Sequence, residues 1–139
     1  MKITVDTNVL ISATFWHGDS NKIILLAESK KIELTMSKEI VQEYAEVLKY
    51  DEIKNKINDK GLTTKYSLGK IISISKIVSP KEKFDIIKED KDDNKIIDAA
   101  VEGKSDYIVS SDRHLLELKE FKGIKIVTPK EFLGLIGKK

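Results

Sequence analysis

The chain has 139 residues, 35% of them charged and 40% hydrophobic, with a net charge of +2 and no cysteine. That length suits one domain with a real core. The near-neutral balance excludes a uniformly basic nucleic-acid binder. The lack of thiols excludes disulfides and thiolate metal sites, and no apolar run approaches the ~18 residues of a membrane span. Met1 leads straight into a strand-like stretch, so no signal peptide is expected, and the cytoplasm is the expected compartment.

Lys2 to Val5 reads as a short strand that ends at Asp6-Thr-Asn8, after which Val9 to Phe15 reads as a helix. A carboxylate between a strand and a helix lies at the carboxyl edge of a sheet, where open α/β folds bind ligands. His17-Gly-Asp-Ser20 is a turn, with Ser20 placed to cap the next helix. Ile32 to Thr35 alternates like a half-buried strand. Ser37 then occupies an N-cap position before a helix running to about Leu48. Its stripe of Ile40, Val41, Tyr44, Val47 and Leu48 is flanked by Glu43, whereas Glu39 and Glu46 point farther out.

Residues 50–75 read as one or two helices broken near Asp59-Lys-Gly61, followed by an extended piece at Ile77-Val78 and a further extended stretch from Phe84 to Lys88. Between Lys49 and Lys83 stand nine lysines against four acids. That excess marks either a solvated face or a surface for a polyanion. An acidic run, Glu89 to Asn94, opens a helix that Gly103 would close as the C′ residue. Asp93 sits one turn ahead of Ile96 and Ile97, on the stripe that includes Ala100, and is therefore aimed inward. Tyr107-Ile-Val109 is a buried strand ending at Ser110-Ser-Asp112, and Asp112 can cap the helix from Arg113 to Leu118. Ile124 to Val127 is another strand. Thr128-Pro-Lys-Glu131 is a capping box for the last helix. Strand–helix alternation over the whole length predicts an α/β fold with a mostly parallel sheet flanked by helices.

Asp6 and Asp112 emerge on one sheet edge, and Glu43 and Asp93 come from helices able to lean over it. Each acid also has a structural explanation, as a cap, a dipole partner or a surface group. Four converging carboxylates repel one another unless neutralised, and no arginine or histidine cluster is at hand to do it. His17 and His114 stand alone and read as surface residues. An all-oxygen site of this kind prefers a hard divalent cation: Mg²⁺ or Mn²⁺, with Ca²⁺ the next choice. Carboxylate-held Mg²⁺ keeps waters and takes phosphate oxygens, which is the logic of phosphodiester hydrolysis. Two rival readings fail on single positions. An aspartyl-phosphate enzyme of the haloacid-dehalogenase type needs an acid where Asn8 stands. A calcium loop starting at Asp90 needs glycine and glutamate where Lys95 and Val101 stand. A non-catalytic module that binds divalent metal or RNA remains as an alternative.

The ordered set Val5-Asp-Thr-Asn-Val-Leu10, Ser37 with Glu43, Asp92-Asp-Asn-Lys-Ile-Ile-Asp-Ala-Ala100 and Ile108-Val-Ser-Ser-Asp112 resembles the PIN-domain family of metal-dependent ribonucleases. The resemblance runs essentially the full length of the chain. It implies a Rossmann-like PIN fold over residues 1–139, with Mg²⁺ or Mn²⁺ bound by Asp6, Glu43, Asp93 and Asp112. Asn8 and Ser110 match positions that support the first and last acids by hydrogen bonds. Asp90, Asp92 and Asp98 stand near enough in sequence to compete for the third acid's place. The ending, strand-Thr-Pro-Lys-Glu-Phe132, resembles the toxin branch of the family. VapC-type relatives cleave RNA and are neutralised by a cognate antitoxin, and many form homodimers, which the resemblance implies here as well, with single-stranded RNA the expected substrate. A housekeeping RNA-processing nuclease is the alternative within the family.

Overall fold

The computed structural model describes residues 1–50, 52–55 and 63–137. Its core is a six-stranded sheet: β1 (Lys2–Val5), β2 (Glu33–Ser37), β3 (Ser75–Val78), β4 (Tyr107–Val109), β5 (Glu120–Phe121) and β6 (Ile124–Val127). The spatial order is β3-β2-β1-β4-β6-β5. All neighbours are parallel except the β5–β6 pair. The chain winds outward from β1 through β2 to β3, then returns to place β4 on the other side of β1. The crevice between β1 and β4 is therefore the topological switch point, the place where α/β sheets bind ligands.

Helices among the described residues include α1 (Thr7–Phe15), α2 (Asp19–Glu28), α3 (Lys38–Val47), α4 (Thr64–Ser73), α5 (Asn94–Glu102), α6 (Arg113–Leu118) and α7 (Pro129–Gly137), with a 3₁₀ turn at Lys91–Asp93 ahead of α5. Ile3, Val5, Leu34, Met36, Ile97 and Ile108 are wholly buried and belong to one apolar cluster. A central parallel strand covered on both faces has no solvent side. Thr4 is accordingly buried, and its hydroxyl is paired with that of Ser105 at 2.8 Å. None of the described helices is long and apolar enough to cross a membrane.

Several local expectations hold. Ser37 caps α3 by accepting from the Ile40 amide at 3.3 Å. The capping box of α7 is reciprocal: the Glu131 amide donates to Thr128 Oγ1 at 3.1 Å, and the Thr128 amide donates to Glu131 Oε1 at 3.0 Å.

Others need correction. Gly18, not Ser20, is the N-cap of α2, and its cap position carries no side-chain hydrogen bond. The second strand begins one residue later than the alternation suggests and runs on to Ser37. The stretch from Phe84 to Lys88 is not a strand. Its amides are taken by side chains instead: Phe84 donates to Asp98 at 2.8 Å, and Ile86 and Ile87 donate to Asn94 Oδ1 at 2.9 and 2.8 Å. Gly103 is the C-cap of α5 at φ −80°, and the left-handed C′ residue is Lys104 at φ 53°. The Ser105 amide reaches Ala100 O and the Lys104 amide reaches Val101 O, a Schellman closure built without glycine at C′. Glycine is needed at 103 for space, since a Cβ there would lie 2.1 Å from Thr35 Cγ2 on β2. The expected helix break near Asp59-Lys-Gly61 lies outside the described residues.

Candidate active site

Asp6 follows β1 directly and caps α1. Its Oδ1 accepts from the Val9 amide at 2.9 Å. Its Oδ2 accepts from the Ser110 hydroxyl and from the Ser111 amide at 3.3 Å. The carboxyl is buried, which pushes its pKa up. The bonds from Ser110, Val9 and Ser111 pull it back down, and the charge of Asp112 adds a smaller upward push. Ser110, at the end of β4, has no exposed surface and works in both directions, because its Oγ also accepts from the Asp112 amide at 2.9 Å. Asp112 caps α6 with Oδ1, which accepts from the His114 amide at 2.8 Å. Capping uses one carboxylate oxygen and leaves the other for the crevice, so the structural and functional readings of this acid are compatible.

The helix-borne acids are held differently. Glu43, on α3, has both oxygens engaged: Oε1 accepts from the Thr7 hydroxyl, and Oε2 accepts from Lys95 Nζ at 2.6 Å. Asp93 ends the 3₁₀ turn and stands at the N-terminus of α5 without making a cap bond. Its Oδ2 is enclosed and has no hydrogen-bond partner. Its pKa is pushed up to about 7, chiefly by burial, then by the negative charges of Asp112 and Asp90, by contact with the Asp112 carboxyl and by Asp6.

One cavity of about 180 Å³ gathers these groups, lined by Asp6, Glu43, Asp93 and Asp112 together with Thr7 and Lys95. Asp90, Asp92 and Asn8 also reach its wall. Asp98 is not on that wall; it is buried and holds the Phe84 amide. Asn8 is exposed and makes no hydrogen bond to Asp6 among the described residues; its neighbour Thr7 supports an acid instead, and that acid is Glu43.

Besides Thr7, the sequence reading missed Lys95 and His114. Lys95 supplies a positive charge inside the cleft, although its partner lies 52 positions away. A lysine in the first turn of a helix gives no sign of this beyond its place beside the acidic run. His114 is half-buried rather than fully exposed: its side chain is about a quarter exposed, and its Nδ1 is enclosed without a hydrogen bond. One ligand atom from each of Asp93, Asp112 and His114 lies within 4.8 Å of the others. The donor set is rich in carboxylates, one of which keeps an unpartnered buried oxygen and a raised pKa. Both features fit a divalent cation, which would satisfy that oxygen and offset the clustered charge.

A solved structure described as VapBC2 from Rickettsia felis bound to a DNA fragment from their promoter superposes with a TM-score of 0.62 at 17% identity, covering 91% of this chain and 97% of that chain. At that identity the likeness speaks to fold alone. No curated protein sequence matches the chain. The model of one family, the PIN domain, matches residues 2–114, and the chain belongs to the PIN-domain family.

Proposed function

We propose that the chain is a metal-dependent endoribonuclease that hydrolyses phosphodiester bonds of single-stranded RNA, and that it serves as the toxin of a toxin–antitoxin pair. PIN domains are a family of nucleases. The observation that carries the reading is the meeting of Asp6, Glu43, Asp93 and Asp112 in one cavity at the β1/β4 switch point, with an Asp93 oxygen enclosed and unpartnered. Asp6, Asp93 and Asp112, with Glu43 beside them, would hold Mg²⁺ or Mn²⁺. The cation, when bound, polarises the scissile phosphate and its attacking water.

The chain's own groups do the remaining work. Ser110 fixes Asp6 and the Asp112 backbone relative to each other, so neither strand-end carboxylate has to reorganise when substrate arrives. Thr7 and Lys95 set the rotamer of Glu43, and Lys95 cancels part of the cleft's negative charge, which otherwise repels an incoming phosphate. Asp93, whose carboxyl pKa is pushed up to about 7 by burial and by its acid neighbours, is the acid that gains most from the cation's charge.

The lysine-rich stretch supplies a surface for the polyanion. Lys70 and Lys83 are paired with Glu28 and Glu39 at 2.7 and 3.7 Å. Exposed Lys49, Lys54, Lys65 and Lys76 make no ion pair among the described residues. The toxin assignment draws support from the VapBC2 complex that shares the fold. On this reading a cognate antitoxin covers the acidic cleft and the chain pairs with a second copy of itself.

The test is cleavage of a mixed single-stranded RNA pool with Mg²⁺ or Mn²⁺ against EDTA, beside Asp6→Asn and Asp112→Asn. The expected result is metal-dependent cleavage that falls at least about a hundredfold in both variants, since even the partners that orient a metal's ligands cost 10–100-fold when lost. Cleavage that persists in EDTA, or in Asp6→Asn at the wild-type rate, sinks the proposal.

A further inference from the structure

His114 lies at the edge of a site that the sequence presents as purely carboxylate. Its backbone amide is tied to Asp112 Oδ1 at 2.8 Å, and one of its ring nitrogens lies within 4.8 Å of a carboxylate oxygen of Asp93 and of Asp112. Nδ1 stands 3.7 Å from Asp112 Oδ1, too far for a hydrogen bond. Nδ1 is nonetheless enclosed by protein and has no other partner. Asp93 Oδ2 is in the same condition, enclosed and unpartnered. Two buried polar atoms without partners, on residues whose ligand atoms converge within 4.8 Å together with Asp112, call for one shared guest. The two make no hydrogen bond with each other, so no shared proton joins them. A cation satisfies both, because a neutral imidazole with its hydrogen on Nε2 presents a lone pair at Nδ1.

We propose that His114 is a nitrogen ligand of the metal site, acting with Asp93 and Asp112, and that it biases the site toward transition ions such as Mn²⁺ over Mg²⁺. Imidazole suits transition ions, whereas Mg²⁺ favours oxygen donors. The inference rests on the nuclease reading of the same cleft, and the experiment separates the two. Mn²⁺ alone is added to the full chain, and its binding and pulsed EPR spectrum are recorded for wild type and His114→Gln.

The expected result is a strong ¹⁴N coupling from a directly bound imidazole in wild type and its loss in His114→Gln. The variant should bind Mn²⁺ about tenfold more weakly, while its affinity for Mg²⁺ changes much less. Mn²⁺ bound without imidazole coupling in wild type overturns the role of His114 and leaves the carboxylate site standing. So does a coupling that survives His114→Gln. Absence of any Mn²⁺ binding up to millimolar concentration overturns the metal reading of the cleft, and this inference with it.

Discussion

The acids that end strands and the acids carried by helices meet in one cavity but are secured by opposite means. Asp6 and Asp112 sit where the backbone puts them. Asp6 continues the parallel ladder through its amide to Val109 O at 3.2 Å, both acids cap the helix that follows, and the Ser110 hydroxyl joins them. Glu43 depends on neighbours distant in the chain, and Asp93 stands among other acids. Glu43 has found its counter-charge in Lys95. Asp93 has none and holds its carboxyl near the neutral range instead. The strand-end half is thus fixed by folding itself, and the helix half stays electrostatically incomplete until something positive arrives.

That contrast can be broken at three levels. The largest effect is expected at the strand ends, where Asp6→Asn removes most cleavage while the fold persists, because asparagine can still cap α1. A chain that fails to fold would show instead that Asp6 is chiefly structural; circular dichroism beside the RNA assay distinguishes the two.

Next comes Asp93. Its carboxyl pKa is near 7 in the folded chain against a reference of 3.8, so the folded chain retains a proton that the unfolded chain releases. The stability of the cation-free protein should fall as pH rises from about 4 through about 7 and then level off. Thermal melts across that range should show the slope in wild type. Asp93→Asn should lessen it and raise the melting temperature at pH 8 by a few degrees. Saturating Mg²⁺ should flatten it in wild type alone. A melting profile identical for the two proteins would mean that the cleft carries no repulsion worth relieving.

The smallest effect is a control far from both halves. Thr128→Ala breaks the α7 capping box and should cost about 1 kcal/mol in a denaturant titration without changing metal affinity. A change in metal binding there would mean that the site is not insulated from the C-terminal helix.

The strand-end half was legible in the sequence because its logic is local. A short apolar run stopping at Asp6 or at Ser110-Ser-Asp112 predicts both the strand and the edge that its acid occupies. The inward phase of Asp93 could be read for the same reason, from its spacing to Ile96, Ile97 and Ala100. Lys95, Thr7 and His114 were not legible in their roles, since each is defined by a meeting across the sheet edge. Asn94 hid in the same way. Inside an acidic run it reads as polar filler, yet it accepts from two loop amides and donates to Ile87 O and Lys91 O at 3.0 and 3.1 Å. Those four bonds give the 84–91 segment its shape and explain why an apolar-looking stretch is no strand. Strand β5 is two residues long and carries no alternation to detect.

Gly103 gives the helix half a mechanical dimension. Helix α5 is nine residues, about 13 Å from end to end, with Asp93 at its start and Gly103 at its finish. The finish rests so closely on Thr35 that any side chain forces either Thr35 or the helix end to shift. The missing side chain is what lets this end of the helix lie against β2. A wedge at position 103 would tip the far end, where displacements near 1 Å are enough to disable catalysis. A screen for inactive variants would then return Gly103 among the acids, although it stands a full helix away from any substrate. The tolerance of the cleft is thus written partly into a residue with no chemistry of its own.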